Sequence, residues 1–324
     1  MKLYSQLRSR AKSIITLGAA SLLVFGCAAA EDAERESVAA FKAAIETAKA
    51  TEGLGHPAMW SLKDDDTTIY ILGTIHLLKP DTQWRTDAIN SAFEAADKLV
   101  LEADATSAEA QQKMTSIVFS TGVFTDGSTL SDLLDEEQEA SVREALSSVG
   151  LQLEVINPFK PWFANLNVSV TQMTNAGFDP NAGVETVLTA EAETAGKSFG
   201  YLETIEDQMA IFSSDPIDEQ VEAFLAGMEL LELGPVALET LANEWADGDT
   251  AGLTAVVGSP DIFEETDDYE ALLVDRNANW VPQIISMLDE PGTVFVAVGA
   301  GHLVGEDSVI AMLENEGFTV EGPF

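Results

Sequence analysis

Two histidines in one shared local context carry the chemistry that this sequence offers. His76 closes Gly73-Thr74-Ile75-His76, and His302 closes Gly299-Ala300-Gly301-His302. The chain has three histidines in all; the third, His56, stands beside Pro57 and reads as an ordinary loop residue. A neutral imidazole is a ligand for first-row divalent metals and also an acid–base group near neutral pH. Two imidazoles and a carboxylate would hold a metal with open positions for water, and the metal would turn that water into a hydroxide nucleophile. A His–Glu dyad acting on water without a metal needs only the same residues. So does a pocket that binds a small ligand and does no chemistry. His-Glu-x-x-His, Gly-x-Ser-x-Gly and the P-loop are absent from the sequence.

The elements that must position these histidines are apolar strands. Thr67 to Leu72 is rich in β-branched and aromatic residues and reads as a buried strand, with Gly73 as a turn after it. Met59-Trp60-Ser61-Leu62-Lys63 reads as its antiparallel neighbour across an Asp64-Asp65-Asp66 turn. Thr293 to Val298 is the strand before the second motif. Ile89, Phe93 and Ala96 recur at helical spacing, and Leu99-Val100-Leu101 then forms a strand ending in Glu102. A strand, helix, strand unit makes a parallel sheet with a right-handed crossover, so Glu102 is expected on the same side as His76. In such sheets ligands bind beyond the carboxyl ends of the strands.

From Ala105 to about residue 290 the chain reads as mostly helical. Thr129 opens one helix, Pro158 and Pro161 another, Gly183-Val184-Glu185 a third, and Asp215-Pro216 a fourth. Met228 falls on an apolar helix face and reads as core. Phe199 to Leu202 reads as a short strand leading to Glu203. Arg276 and Asn277 are expected to precede a helix with Val281, Ile284 and Leu288 on one face, and Phe318-Thr319-Val320 is expected as the last strand. The expected fold is α/β: a central mixed, largely parallel sheet with helices and a helical cap insertion.

Residues 1–30 read as an export signal. Lys2, Arg8, Arg10 and Lys12 precede an apolar run from Ile14 to Phe25, too short for an ordinary spanning helix. Val24-Phe25-Gly26-Cys27 resembles a lipobox, while Ala28-Ala29-Ala30 offers cleavage before Glu31. The expected location is the periplasm, or the outer membrane through a lipidated Cys27. Residues 31–56 read as an N-terminal helix or spacer, and residues 57–324 as the main domain. Cys27 is the single cysteine, which excludes a structural disulfide or a thiolate zinc site from the mature chain. A net charge of −39 argues against nucleic acid as a partner, because its phosphates would be repelled. An apolar content of 46% excludes a disordered acidic chain.

The motifs also come in a familiar order. Trp60-Ser61-Leu62, Gly73-Thr74-Ile75-His76 and Leu101-Glu102-Ala103-Asp104 resemble the start of the TraB/GumN family. Thr129 to Leu134, Lys160-Pro161-Trp162, Leu202-Glu203-Thr204 with Gln208, and Trp245 with Gly248-Asp249 follow. Arg276-Asn277 with Trp280, and Val298 to Leu303 with Gly305, complete the series. One departure is Asp275, where the family usually has Glu before Arg-Asn. The family includes the Tiki proteins, membrane-tethered metalloproteases that cleave Wnt, and is related to proteins of the ChaN and erythromycin-esterase type. The resemblance implies a metal-dependent, peptidase-like hydrolase acting on a peptide or small molecule. It implies His76 and His302 as metal or catalytic histidines around Mn, Co, Zn or Fe, and Glu102 as third ligand or general base. Glu203 and Arg276 would be further pocket residues, Arg276 anchoring a carboxylate or stabilising an oxyanion. A non-catalytic metal or small-ligand binder and a metal-independent esterase are the alternatives.

Overall fold

The computed structural model describes residues 30–257 and 269–324, so the expected export signal lies, but for Ala30, outside the described residues. Among the described residues six strands form one sheet: β1 (Met59–Lys63), β2 (Thr67–Thr74), β3 (Lys98–Leu101), β4 (Ser198–Tyr201), β5 (Gly292–Gly299) and β6 (Val320–Glu321). Their order across the sheet is β4-β3-β5-β2-β1-β6. The β1–β2 hairpin is antiparallel with Met59 opposite Leu72. Its turn is closed by the Asp64 side chain, which accepts from the Asp66 and Thr67 amides. β2, β5, β3 and β4 run parallel, and β6 pairs antiparallel with β1.

β2 and β3 pair with both edges of β5, helices cover both its faces, and Phe295 to Val298 are wholly buried. The period-2 alternation of strands divides the core accordingly. Leu72, Leu99, Phe295 and Ala297 face one layer; Ile69, Ile71, Val100, Val296 and Val298 face the other. The helices are α1 (Ala30–Ala48), α2 (Asp87–Ala95), α3 (Ala108–Ile117), α4 (Glu136–Ser148), α5 (Leu153–Ile156), α6 (Pro161–Asn175), α7 (Val184–Ala195), α8 (Ile205–Ser213), α9 (Ile217–Glu229), α10 (Gly234–Asp247), α11 (Thr250–Val257), α12 (Asp275–Ser286) and α13 (Val309–Asn315). The first layer holds α2, whose Phe93 meets Phe295 edge-on at 5.5 Å. It also holds α1, through Phe41, Ile45 and Ala48, and α11, through Leu253, Val256 and Val257. The N-terminal helix is thus packed into the core. The second layer holds α12 and α13, with Trp280, Ile284, Val309 and Leu313 fully buried. A separate helical core joins α4, α5, α6 and α9 around Leu146, Val168, Phe224 and Met228. No helix among the described residues is long and apolar enough to cross a membrane.

The mixed, largely parallel α/β sheet and the helical middle agree with the reading of the sequence. Four local expectations need correction. Gly73 makes no turn; it lies inside β2. Thr129 opens only a short 3-10 turn, Leu130–Leu133, because Asp135 immediately caps α4 with a capping box to Gln138. Arg276 and Asn277 lie within the first turn of α12, since a π-type turn, Glu270–Val274, feeds the helix without a break. The last strand is shorter and later than expected, because Gly317 (φ 92°) ends α13 and the chain pairs with β1 only at Leu62 and Ser61.

Candidate functional site

His76, Glu102, Glu203 and His302 all follow the carboxyl ends of the four parallel strands, where an open α/β sheet places its ligands. Both glycines of the Gly-x-x-His motifs make room. A β-carbon on Gly73 would come 3.1 Å from the Ala300 backbone. Its carbonyl accepts the Trp245 indole N–H at 2.8 Å, which ties β2 to α10. A β-carbon on Gly299 would stand 3.1 Å from Glu102 Oε1, 3.5 Å from His302 Cδ2 and 3.9 Å from His76 Nε2. The three groups expected to share a site therefore face one small volume.

His76 is held by a residue that the sequence reading passed over as an ordinary helix residue. Glu185, in the first turn of α7, meets His76 Nδ1 at 2.8 Å, and the Thr74 hydroxyl donates to the same carboxylate oxygen. The opposite atoms, His76 Nε2 and Glu185 Oε2, are buried and have no hydrogen-bond partner in the chain. Burial alone would make His76 harder to protonate, but the Glu185 carboxylate, with Glu102 behind it, raises its pKa above the ordinary 6.5. The same contact, against the opposing effect of burial, keeps Glu185 ionised below the usual range. Gly183 makes the approach possible: a β-carbon there would lie 2.0 Å from the His76 carbonyl oxygen, and the Val184 amide donates to the Ile75 carbonyl. Gly183→Ala must push α7 off the end of β2. It is expected to cost about 1–3 kcal/mol, as overpacking does, read as a lower midpoint in urea unfolding.

Arg276 ties the remaining residues together. Its Nη2 donates to Glu102 Oε2 and Glu203 Oε1, each at 2.7 Å, and its Nε to Glu203 Oε2 at 3.0 Å. Its Nη1 lies 3.0 Å from both the Leu272 carbonyl and His302 Nε2. All five N–H groups are thereby used within the chain. The tautomer of His302 follows. Asn277 donates its amide to the Asp307 carbonyl, so its oxygen receives His302 Nδ1–H at 2.7 Å, leaving Nε2 as the acceptor from Arg276. Burial and the adjacent guanidinium lower the His302 pKa to about 3, and its ring packs against Trp280 with the centroids 4.3 Å apart and the planes tilted by 42°. His302 is a neutral, fixed acceptor. Glu102 also accepts from the Gly299 amide at 2.7 Å and from Gln208 at 2.9 Å. Burial opposes its ionisation, but the Arg276 guanidinium, with His76 and the Gly299 amide, outweighs it and holds its pKa low. Burial pushes Glu203 up, with the Arg276 contacts only partly offsetting this.

This donor set bears on a divalent metal. His76 Nε2 is an open, buried nitrogen. Arg276 lies against His302 Nε2 and Glu102 Oε2, while Glu102 Oε1 accepts the Gly299 amide. As the side chains are placed, no three His, Cys, Asp or Glu among the described residues are grouped around a point in the manner of metal ligands. The arrangement fits the cation that the chain supplies. A cavity of about 50 Å³, enough for a few waters, is bounded by His76, Glu102, Glu185, Thr186, Thr189 and Gln208. It shares Tyr201 and Ile205 with a wider cleft of about 520 Å³.

The fold and the site define an α/β protein with a buried imidazole–carboxylate–guanidinium cluster at the carboxyl edge of its parallel strands. The chain belongs to the TraB/PrgY/gumN family, whose model matches residues 58–322. It is 22% identical over 244 residues to an uncharacterized protein, YbaP, of Escherichia coli strain K12, covering 75% of this chain and 87% of that one. It is also 22% identical over 277 residues to an uncharacterized protein of Treponema pallidum strain Nichols, covering 78% and 79%. No solved structure matches.

Proposed function

We propose that this protein is a hydrolase that adds water to a peptide or ester carbonyl, with His76 as general base and Glu185 as the carboxylate that orients it. The observation that carries this reading is the single open nitrogen: His76 Nε2 is buried and unpartnered while Nδ1 is fixed by Glu185. That is the geometry of an oriented base. A water in the small cavity gives its proton to Nε2 as its oxygen attacks the carbonyl carbon. The imidazolium then returns the proton to the departing amine or alcohol as the carbon–nitrogen or carbon–oxygen bond breaks. The negative charges of Glu185 and Glu102 stabilise the imidazolium between these steps. Glu102 itself is a weak base, because Arg276, Gln208 and the Gly299 amide occupy it.

A second reading is favoured by the same atom. An imidazole with one nitrogen on a carboxylate and the other open is the usual arrangement of a metal ligand. Mn, Co, Zn or Fe would then bind at His76, with Glu102 as a further ligand and His302 joining only after Arg276 moves away. Turnover of a peptide library and an ester panel should be followed before and after exhaustive chelation. Activity that survives chelation supports the dyad. Activity that is lost and restored by one of these ions transfers water activation to the metal. No turnover of any substrate would leave a binding protein.

The pH profile separates the dyad further. The base must be neutral, and its pKa is raised, so kcat/KM should climb with pH through a midpoint above 6.5. Glu185→Gln removes the carboxylate that raises it, so the midpoint should move to lower pH while the plateau rate falls. An unmoved midpoint would assign the titration to another group.

A further inference from the structure

The outer edge of β4 is open, and it ends at the mouth of the site. β4 stands at one end of the sheet. The Ser198 and Leu202 amides donate to the Asp97 and Leu101 carbonyls on the β3 side, and a strand alternates its bonding side residue by residue. The N–H and C=O groups of Phe199 and Tyr201 therefore point outward, and no described residue bonds to them. The opposite end of the sheet is guarded: β6 has two residues, and Pro323 follows it. β4 contains no proline. Lys197 before it is spent on the Glu94 and Ala96 carbonyls, and the Lys98 side chain lies over the face of Gly200, not along its edge. Tyr201, the last residue of β4, is 39% exposed and lines both the wide cleft and the small His76 cavity. Burial, with the Asp104 and Glu193 carboxylates nearby, raises the pKa of its hydroxyl. Charge in the cleft is almost all of one sign. Lys113 is its basic side chain, and Glu206 at 3.1 Å and Glu109 at 3.6 Å already engage it. Asp104, in the same lining, accepts from the Thr106 and Ser107 amides and has no ion-pair partner within 4.0 Å among the described residues.

Resting on the hydrolase reading above, we propose that the edge of β4 anchors an extended peptide substrate as an added strand, with a lysine or arginine side chain of the peptide held between the Tyr201 ring and Asp104. An added strand draws its affinity from backbone hydrogen bonds at alternate residues and its selectivity from the places its side chains reach. Here the backbone partners are the outward groups of Phe199 and Tyr201. The selective place joins an exposed aromatic ring to an unpaired carboxylate, both of which attract a cation. β4 and β2 are three strand spacings apart, about 14 Å. The peptide therefore continues for about four extended residues from its anchor, past Tyr201 and over the strand ends, before its reacting carbonyl meets His76.

The test measures binding apart from turnover, by fluorescence anisotropy on the full chain carrying His76→Gln. The probe is a labelled decapeptide of alternating alanine and threonine with one central arginine. It should bind saturably, and its glutamate counterpart should bind at least about tenfold more weakly. N-methylation of one amide at a time should abolish binding at every second residue around the arginine and spare the residues between. Adding Asp104→Asn, which keeps an oxygen for the Thr106 and Ser107 amides, should weaken the arginine peptide about fivefold. Adding Glu314→Gln instead, at an exposed acid elsewhere, should change nothing and so exclude diffuse binding to an acidic chain. Absence of saturable binding, N-methylation losses without alternation, or equal affinity in Asp104→Asn overturns the anchor. Should Asp104→Asn fail to fold, the N-methylation series decides alone. The wild type then separates the two readings. A peptide that binds with this alternation and is never cut keeps the anchor and ends the hydrolase, whereas one cut equally well in every N-methylated form keeps the hydrolase and ends the anchor.

Discussion

His76→Gln is expected to leave a folded protein whose turnover has fallen about 10²–10⁴-fold, the usual contribution of a positioned general base. Glutamine can still donate to Glu185, so the buried carboxylate keeps a partner and α7 stays in place. What it lacks is a nitrogen that can take a proton. His76→Ala removes base and partner together, leaving Glu185 with the Thr74 hydroxyl as its remaining side-chain donor, and should lose stability as well as rate. The informative comparison is between these two variants, by steady-state kinetics and urea unfolding. A glutamine variant that turns over at the wild-type rate would remove His76 from the chemistry.

The largest loss of stability is expected at Arg276. Arg276→Met preserves much of the apolar stem yet leaves Glu102 and Glu203 facing each other, with side chains 6% and 9% exposed and no cation between them. Breaking a buried ion pair in this way costs about 3–5 kcal/mol, far more than the loss of a surface pair. The urea midpoint should drop accordingly at neutral pH. Arg276→Lys restores a charge but offers three donors in place of five, and it cannot bridge both carboxylates, His302 and the Leu272 carbonyl at once. It should fall between wild type and methionine. A methionine variant as stable as wild type would mean that the two carboxylates have found protons or another cation.

The sheet was legible because its strands are short apolar runs bounded by turn residues, and β2, β3 and β5 each bury both faces. The placement of His76, Glu102 and His302 at one edge followed from parallel crossovers. The partners of the histidines were harder to read. Glu185 is one of many glutamates in an Ala- and Glu-rich helix, and its distinction lies in Gly183, whose missing side chain lets the helix start touch the His76 carbonyl. A Gly-x-Glu at a helix start was the available signal. Arg276 was singled out, but its five committed donors depend on the Leu272 carbonyl and on two strand ends far away in sequence. Likewise, Gly73 suggested a turn; what Gly73 and Gly299 require is space, against Ala300 and around Glu102, which only the folded neighbours define.

The strand order also has a consequence for how the molecule is made. β5 is an inner strand of the parallel block, yet it is the fifth of the six described strands along the chain and enters between two strands that precede it by about 200 residues. Until residues 292–299 emerge, β2 and β3 have no shared neighbour, and each carries an unpaired apolar edge of the kind that recruits other chains. Chains grow from the N-terminus, and contacts of such separation form slowly because loop closure must come first. A nascent chain that has made β1 to β4 is therefore in its most aggregation-prone state. The strand that closes the sheet also brings Gly299 and His302, so the cluster around Arg276 is completed only when that hazard ends.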